Sequence, residues 1–566
     1  MSGQGSDLFL GLDFGTDSVR ALLVDDRGRI GATAVAPYAH GQITVGSAIA
    51  QELFVDPLPR AFALQDPSDW LASAAIAVRT AAGSADLDRQ VSGVGIDFTS
   101  CTMLPALRDG AALVGADAAY RRRLHAWPKL WKHHGAAAQA VRMTELAERR
   151  SEPWLAHYGG GVGLEWLFPK ILEAIEEDPE VATAAEVWLE AGDWVVWQLV
   201  GAASYGGDSG VDALVRSTCQ AGYKALWSRE AGFPSSEYLR ACHPSLADAA
   251  EEKLPGRMLA PGQMAGRLSA TAAARLGLTA GTPISTAIID AHAGVPGAGV
   301  ARPGELVLVL GTSGCHMVMA ERELHIPGVA GVVADGILPG YYGYETGQAA
   351  VGDAFDWVRR LCGERDHESL ESRARSVAPG SDGLLVVDWF NGCRTPLMDG
   401  ALTGAILGAS LHHTPAHLYR ATLEASACGV RWIVETLRDG GVPIERVVAT
   451  GGLPHGNRLF IEMLASVLGE QVEVHPATHG PALGAAILGA LSAGRFESAE
   501  EAISAMAGAG SALPPNALTP PDRDGVATYD DVYRRYRLHA EMLVRGADRA
   551  PSWPAQGAPN GSPIQR

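Results

Sequence analysis

The stretch LGLDFGTDSVRALLVDDRG, residues 10–28, contains two apolar runs separated by a short polar turn. The runs from Leu8 to Asp13 and from Val19 to Asp25 are both β-prone, and a third run extends from Ile30 to Val35. Their separators, Gly-Thr-Asp-Ser and Asp-Arg-Gly, are sequences typical of tight turns. The stretch therefore predicts an antiparallel meander of three strands.

The triplet Asp13-Phe14-Gly15 within this stretch is also the metal-binding signature of protein kinases. A protein kinase needs a glycine-rich lid, a strand lysine and a catalytic loop ahead of that triplet. Only a polar leader and one short apolar run precede Asp13 here, which excludes that interpretation. The triplet is better explained as a carboxylate at a strand end, followed by a glycine turn.

The following residues extend this meander into an α/β unit that the chain then repeats. A helical segment from Trp70 to Ala82 leads into a buried strand from Val91 to Asp97. Strand, glycine turn and strand return in ELVLVLGTSGCHMVMA, residues 305–320. The same order of elements with few identical residues is typical of an internal duplication. We predict an α/β fold of two related lobes around a common cleft.

Three segments are predicted from this repeat: a first lobe over residues 1–300, a second lobe over 301–545, and a tail over 546–566. The second lobe should contain a helix from Pro415 to Leu437 and a strand from Arg446 to Thr450. The Trp-rich region 120–260 is predicted to be an insertion in the first lobe. The tail is rich in Pro, Gly and Ala, a composition typical of disorder.

The composition restricts the partners and the compartment. A formal net charge of −19 over 566 residues disfavours a nucleic-acid or acidic-membrane surface, since both require a basic face. Seven scattered cysteines without a C-x-x-C pair favour reduced thiols and give no zinc site by spacing. The leader lacks a signal-peptide pattern. We therefore expect a cytoplasmic protein without nucleic-acid or membrane partners.

Two polar turns could bind phosphate groups. Gly15-Thr16-Asp17 and Gly311-Thr312-Ser313 each follow an apolar strand and offer backbone N–H groups and hydroxyls without bulky side chains. Either turn alone is more often a plain hairpin turn, but one in each lobe favours a nucleotide held from both sides. No Walker A sequence is present, so ATP would be bound by hairpins.

Two aspartates stand beside small-residue loops. Asp13 ends its strand at the first turn, where a carboxylate can hold Mg²⁺ against the β- and γ-phosphates. Asp290 ends the apolar run PISTAIID and precedes AHAGVPGAG. Such a position is common in the active sites of open α/β sheets, although a helix N-cap is an alternative role for Asp290.

These segments resemble the FGGY carbohydrate kinases, whose two actin-like, ribonuclease H-like lobes bind ATP. The resemblance rests on GLDFGTDSVRALLVD, LGTSGCHM and VVATGGLPHGNRLFIEMLASVLGEQVEV, which look like the two phosphate loops and the adenosine loop. CQAGYKALW, GYETGQAAVGD and DWFNGCRTP are similar to L-ribulokinases in particular. The similarity runs from about Leu8 to about Leu543. It implies ATP-dependent phosphorylation of L-ribulose at the 5-hydroxyl, in L-arabinose catabolism.

The same resemblance implies the residues of the site. Asp290 would be the catalytic base, and Asp13 would bind Mg²⁺. The ketopentose substrate would be bound by Asp290 together with Thr99, Ser100, Trp131, Lys224 and Glu345. ATP would be bound by Gly15, Thr16, Asp17, Gly311, Thr312, Ser313, Gly347, Gln348, Gly451, Gly452 and Asn457.

Several alternatives remain open at this level. Within the family, the substrate could be another ketopentose, D-ribulose or xylulose. An actin-like ATPase that switches conformation for a protein partner is an alternative of a different class. The histidines at 125, 133 and 134 are expected at the surface, because no ligand spacing accompanies them. The sequence leaves the oligomeric state open, with a homodimer among the candidates.

Overall fold

The protein is described by a computed structural model that covers residues 7–84, 90–201, 211, 214–508 and 517–547. Within these ranges, no helix combines the length and the apolar character needed to span a bilayer. Residues 546 and 547 of the predicted tail belong to the last helix, and the rest of that tail lies outside the described residues.

The chain begins with the predicted meander, which the structure confirms. Each strand extends one or two residues beyond the predicted bounds, and the helix before the fourth strand is also confirmed. The elements are β1 (Leu8–Phe14), β2 (Ser18–Asp25), β3 (Ile30–Pro37), α1 (Ala48–Leu53), α2 (Pro67–Ser84) and β4 (Val91–Phe98).

The next part of the chain is mostly helical and returns to the first sheet at its end. Three 3-10 helices, Tyr120–Arg122, Leu124–Ala126 and Pro153–Tyr158, lie among its strands and α-helices. Those are β5 (Met103–Ala106), α3 (Leu113–Ala116), α4 (Ala137–Arg150), α5 (Leu167–Glu177), α6 (Pro179–Ala184), β6 (Val187–Glu190), α7 (Ala191–Val200), β7 (Val215–Ser217), α8 (Thr218–Lys224), α9 (Ser236–Cys242), α10 (Pro244–Glu252), β8 (Arg257–Leu259), β9 (Met264–Arg267), α11 (Ala270–Leu276), β10 (Pro283–Ser285), β11 (Ile288–Ile289) and α12 (Asp290–Gly297).

The second half repeats the strand-turn-strand opening and adds a long helix at the predicted position. A 3-10 helix lies at Ser381–Gly383. The elements are β12 (Glu305–Leu310), β13 (Gly314–Ala320), β14 (Gly331–Ala334), β15 (Tyr342–Gln348), α13 (Gly352–Leu361), α14 (His367–Ala374), β16 (Leu385–Val387), β17 (Ala405–Leu407), α15 (Pro415–Asp439), β18 (Arg446–Thr450), α16 (Gly452–Gly456), α17 (Arg458–Leu468), β19 (Val472–Val474), α18 (Gly480–Ser492), α19 (Ala499–Met506), β20 (Leu518–Thr519) and α20 (Arg523–Ala547).

The two large sheets share one topology. The first has the order β3-β2-β1-β4-β10-β9, with β11 paired to β4, and the second has the order β14-β15-β13-β12-β18-β19-β20. The first sheet has three antiparallel strands, β3, β2 and β1, and the second has four, β14, β15, β13 and β12. In each sheet two parallel strands follow, β4 and β10 in the first and β18 and β19 in the second. This match confirms the predicted duplication and the two-lobed α/β fold. The predicted division near residue 300 falls between α12 and β12 and stays a prediction.

Helices α12 and α18 pack together, and α18 also packs on β1 and β4 of the first sheet. Glycines make this approach possible. A methyl group at Gly11 would lie 1.9 Å from the carbonyl oxygen of Ala482, and one at Gly95 would lie 1.7 Å from that of Ala485. The second half of the chain is therefore held against the first sheet at backbone contact distance.

The insertion has an apolar core of its own. Its buried side chains come mainly from α4, α5, α9 and α10, with Trp188 of β6 among them. The prediction that the histidines at 125, 133 and 134 lie at the surface is partly wrong. His133 is fully buried and His125 is 5% exposed, because both pack around the buried Lys129 and Glu173 side chains. All seven cysteines are free, as predicted.

Candidate active site

Both predicted phosphate turns are hairpin turns at the ends of equivalent strands. The N–H of Gly15 donates to the carbonyl of Ser18, and the N–H of Gly311 donates to that of Ser313, each at 3.0 Å. Thr16 is partly exposed and Thr312 is exposed. The turns therefore leave hydroxyls and backbone groups accessible at the carboxyl ends of β1 and β12.

Three aspartates meet at the same edge of the first sheet. Asp13 of β1 lies opposite Asp97 of β4 in the parallel register, and Asp97 lies opposite Ile288 of β11. Asp290 follows two residues later as the first residue of α12. The predicted strand before Asp290 is interrupted at Thr286, whose N–H and hydroxyl both donate to the carbonyl of Gln263.

Burial dominates the ionisation of these aspartates. It raises the pKa of Asp13, against the opposing effect of Arg20, whose guanidinium lies 2.7 Å from the carboxylate. Burial raises the pKa of Asp97 well above its ordinary value, and the charges of Asp13 and Asp290 raise it further. Burial also raises the pKa of Asp290 to about 7. Burial and the repulsion between neighbouring carboxylates therefore outweigh the attraction of Arg20, and both favour the protonated forms.

A divalent cation fits this donor set. The two carboxylate oxygens of Asp97 are buried and make no hydrogen bond of ordinary geometry to a described residue. Mg²⁺ prefers carboxylate and water oxygens, and its charge would relieve the repulsion between Asp13 and Asp97. The residues present therefore suit the metal that the sequence predicts beside Asp13.

The second lobe contributes a carboxylate to the same cleft. Glu345 of β15 accepts two hydrogen bonds from the ammonium group of Lys224, at 2.7 and 2.9 Å, although Lys224 ends α8 in the first half of the chain. Both residues are buried, and His292 of α12 lies 3.4 Å from Glu345. Burial opposes both charges, yet the attraction between them raises the pKa of Lys224 and lowers that of Glu345.

Residues predicted to line the sugar site stand beside the first phosphate turn. The N–H of Thr99 donates to the carbonyl of Phe14 at 3.1 Å, and the neighbouring Ser100 is partly exposed. The indole N–H of Trp131 donates to the hydroxyl of Thr16 at 3.2 Å. The insertion is thus tied directly to the turn expected to hold phosphate.

A buried lysine supports the loop after β4 and the loop that carries Trp131. The ammonium group of Lys170 in α5 donates to the carbonyl oxygens of Cys101, Leu130 and Lys129, at 2.5, 2.7 and 3.3 Å. Burial lowers its pKa to about 8. Lys170 thereby fixes the loop after β4 and the loop that carries Trp131 relative to each other.

The glycines predicted near adenosine follow β18. Gly451 has a φ of +98°, and a side chain there would meet the carbonyl of Leu310 at 2.4 Å. A side chain at Gly452 would meet open space. Since Leu310 directly precedes Gly311, the loop at 451–452 lies against the second phosphate turn.

Two other predicted nucleotide ligands use their side chains inside the protein. Asn457 is buried, accepts from the N–H of Phe460 at 3.0 Å and donates to Tyr419 at 3.1 Å, so it caps α17. Gln348 is buried and donates to Asp388 and to the carbonyl of Ser426. Gly347 lies beside it on β15, where a side chain would meet the carbonyl of Gly314 at 2.4 Å. The structure therefore gives these residues supporting positions behind the cleft, and their nucleotide contacts stay a prediction.

Three charged residues of the site were missed from the sequence. Asp97 carried a recognisable signal, because GIDFTS, residues 95–100, resembles GLDFGT, residues 11–16, in a parallel strand. Arg20 had no such signal. The alternation of residues along β2 places its side chain on one face of the strand but does not indicate a role. Arg394 lies within the quoted segment DWFNGCRTP, and the carboxylates of Glu165 and Glu345 raise its pKa against the effect of burial.

The sequence is similar to ribulokinases over nearly its whole length. The ribulokinase of Shouchella clausii is 41% identical over 556 residues, which cover 95% of each chain. That of Mycolicibacterium smegmatis is 38% identical and covers 94% of this chain and 93% of its own. Residues 306–493 match the C-terminal domain of the FGGY family of carbohydrate kinases.

The fold is similar to solved carbohydrate kinases. The crystal structure of xylulose kinase from Rhodospirillum rubrum has a TM-score of 0.76 and 24% identity, covering 96% of this chain and all of that one. Plasmodium falciparum glycerol kinase with ADP has a TM-score of 0.73 and 15% identity, with 96% and 98% covered. From its full-length relatives, the chain belongs to the FGGY family of carbohydrate kinases and, within it, to the ribulokinases.

Proposed function

We propose that this kinase transfers the γ-phosphoryl group of ATP to the 5-hydroxyl of L-ribulose, forming L-ribulose 5-phosphate. One observation carries the proposal. Asp290 begins α12 two residues after Ile288, which pairs with Asp97 beside the metal-side Asp13. His292 of the same helix lies 3.4 Å from Glu345, the partner of Lys224, so a carboxylate from the metal side and a pair suited to sugar hydroxyls converge on this helix start. The names of the full-length relatives support the substrate.

Asp290 is the proposed base. It is partly exposed, and it accepts a hydrogen bond from its neighbour Ala291 at 2.7 Å, which orients the carboxyl group. Phosphoryl transfer passes through a loose transition state in which positioning and charge neutralisation dominate. A carboxylate with a pKa of about 7 accepts the proton of the attacking hydroxyl and releases it readily at neutral pH.

Asp13 is the proposed magnesium residue, with Asp97 beside it. The metal supplies neutralisation of the phosphate charge when it is bound. Arg20 orients Asp13 by a direct ion pair at 2.7 Å. The turns at Gly15–Asp17 and Gly311–Ser313 would hold the phosphate oxygens through backbone N–H groups and hydroxyls.

Lys224 and Glu345 are the proposed sugar ligands. Their charge-assisted hydrogen bonds are directed at each other in this structure, and hydroxyls of a ketopentose can take over part of those bonds. A site built on such buried polar groups discriminates strongly against sugars that lack the matching hydroxyl. Trp131 and Thr99 would form the adjoining wall.

The proposed setting is L-arabinose catabolism in the cytoplasm, with ATP and a ketopentose as the small-molecule partners. The relatives do not favour an actin-like switch for a protein partner, because they are named as ribulokinases. A homodimer is proposed as the assembly. The molar mass measured by light scattering on the purified protein in solution tests it.

A coupled assay of ADP release tests the function directly. The purified chain should require Mg²⁺ and should use L-ribulose with a kcat/KM at least about tenfold above those for D-ribulose and xylulose. Higher kcat/KM with another ketopentose would replace the substrate. Hydrolysis of ATP that no sugar accelerates would reject the kinase proposal altogether.

A further inference from the structure

Two histidines and a glutamate from distant parts of the chain meet at the surface between the insertion and the second lobe. His157 lies in the 3-10 helix Pro153–Tyr158, while Glu323 and His325 lie between β13 and β14. One ligand atom from each lies within 4.8 Å of the other two. We propose that this cluster is a site for a divalent transition metal of the zinc type, which joins the insertion to the second lobe.

The distances suit such a metal. Nδ1 of His157 lies 2.9 Å from Oε1 of Glu323, and Nε2 of His325 lies 3.2 Å from the same oxygen. Zinc binds imidazole nitrogen and carboxylate oxygen at about 2.0–2.2 Å in a tetrahedron, so ligand atoms about 3.3 Å apart surround the ion. Small side-chain rotations would place the three ligands around one ion and leave the fourth position to water.

The ligand types also select the metal. Two imidazoles and one carboxylate favour zinc, nickel or copper over magnesium and calcium, which prefer oxygen ligands alone. The side chains of His157, Glu323 and His325 are 18%, 27% and 42% exposed, so an ion can enter from solvent.

The backbone on both sides of the cluster is already fixed. The hydroxyl of Tyr344 donates to the carbonyl of Arg322 and accepts from the N–H of Leu324, both at 2.7 Å, which holds the two neighbours of Glu323. On the other side, the hydroxyl of Tyr158 donates to the carbonyl of Gly222 at 2.6 Å. Ligands supported in this way lose little conformational freedom when a metal binds.

The two sides are also in direct backbone contact. The N–H of Gly328 donates to the carbonyl of Gly159 at 3.4 Å, and a methyl group at Gly159 would lie 2.7 Å from the carbonyl of Val329. A bound ion would add a coordinate link at this contact. We therefore expect the metal to stabilise the folded chain rather than to take part in phosphoryl transfer.

Titration calorimetry with zinc chloride tests the site, on full-length protein without a histidine tag and after removal of metals by a chelator. The native chain should bind one zinc ion with high affinity. His157→Ala and His325→Ala should each weaken binding by at least about tenfold, and Glu323→Gln should weaken it as well. Zinc should also raise the melting temperature of the native chain but not that of His157→Ala.

His412→Ala is the matched control. His412 belongs to a second histidine group with His413 and His417, and the ring centroids of His412 and His413 are 4.3 Å apart. Loss of His412 should leave the high-affinity binding unchanged. If His157→Ala binds zinc as tightly as the native chain, the bridge between insertion and second lobe is refuted. If the native chain shows no saturable zinc binding, the hydrogen-bonded cluster alone is present and the proposal fails.

Discussion

The ammonium group of Lys224 lies 2.7 and 2.9 Å from the two carboxylate oxygens of Glu345, although 121 positions separate the two residues in the chain. The pair closes the cleft between the lobes by an interaction made of the same groups that are proposed to bind the sugar. If the proposal is right, lobe contact and sugar binding use the same atoms.

Lys224→Met separates these two roles. The change leaves the Glu345 carboxylate buried without its main partner, which should lower the free energy of unfolding by about 3 kcal/mol. It should also lower kcat/KM for the sugar by at least about a hundredfold, because a charge-assisted ligand is lost. Denaturant unfolding and steady-state kinetics measure the two effects.

The double variant Lys224→Met/Glu345→Gln is the control for stability. Removing both charges should restore much of the lost stability while activity stays low. Activity that recovers together with stability would show that the pair only holds the lobes together and does not bind sugar.

Asp290→Asn should lower kcat by about a hundredfold to ten-thousandfold while the fold is kept, because a proton acceptor is lost without a change of shape. In the native enzyme the acceptor is active only when deprotonated, so kcat/KM should increase with pH up to about 7 and then level off. A variant with near-normal turnover would remove Asp290 from the mechanism.

The same group links pH to stability. Its pKa is raised from 3.8 to about 7 by folding, so the folded chain holds a proton that the unfolded chain releases between those values. The contribution of Asp290 to stability is therefore present at pH 4 and lost as the pH rises through 7. Asp290→Asn should remove this part of the pH dependence in melting curves recorded without Mg²⁺.

Asp97→Asn tests the buried carboxyl group that has no hydrogen-bond partner of ordinary geometry. Because the pKa of Asp97 is raised well above its usual value, the neutral amide should keep the stability of the metal-free chain. The Mg²⁺ concentration for half-maximal activity should increase by at least about tenfold if Asp97 shares the metal with Asp13. An unchanged Mg²⁺ dependence would restrict the metal site to Asp13.

The sequence predicted those features that depend on local order. The strands from Leu8 to Val35, the helix beginning at Pro415 and both glycine turns follow from alternation, periodicity and turn chemistry. The division of the chain into two similar sheets follows from the repeat of one pattern.

Features that depend on register or on distant contacts could not be predicted. Asp97 joins the site only because β1 and β4 are parallel with Asp13 opposite Asp97. His133 looks like a surface residue in sequence, and its burial depends on distant partners: Glu173, 40 positions away, and Phe62, whose ring centroid lies 4.4 Å from that of His133. The cluster of His157, Glu323 and His325 joins residues that lie 166 or more positions apart in the sequence. No local sequence pattern indicates it.

Gly95→Ala should destabilise the chain strongly, because a methyl group there would lie 1.7 Å from the carbonyl oxygen of Ala485 in α18. Overpacking of a tight contact costs about 1–3 kcal/mol, and a backbone oxygen cannot move aside as a side chain can. Gly83→Ala is the control, since its position in α2 is exposed and meets nothing within 4 Å. Similar melting temperatures for the two variants would contradict the close packing of α18 on β4.

Lys170→Met tests a positioning residue of the sugar site. The carbonyl of Cys101 loses its Lys170 donor, whereas those of Lys129 and Leu130 keep backbone donors from Met103 and His133, so the change should cost about 1–3 kcal/mol of stability. The loops that these carbonyls belong to carry Ser100 and Trp131, so KM for the sugar should increase by at least about tenfold, with a smaller change in kcat. Because the pKa of Lys170 is lowered to about 8, KM of the native enzyme should also increase above that pH, whereas the variant should lack this dependence.

Lys253→Met is the matched control for this effect. The ammonium group of Lys253 donates to the carbonyls of Ala182 and Thr183, at 2.9 and 3.2 Å, so the variant loses the same kind of hydrogen bond. Those carbonyls end α6 and do not belong to the loops beside the cleft. KM for the sugar should therefore stay at the native value in Lys253→Met. An equal increase of KM in both variants would assign the effect of Lys170 to general loss of stability, because of the two lysines only Lys170 contacts the loops of the proposed sugar site.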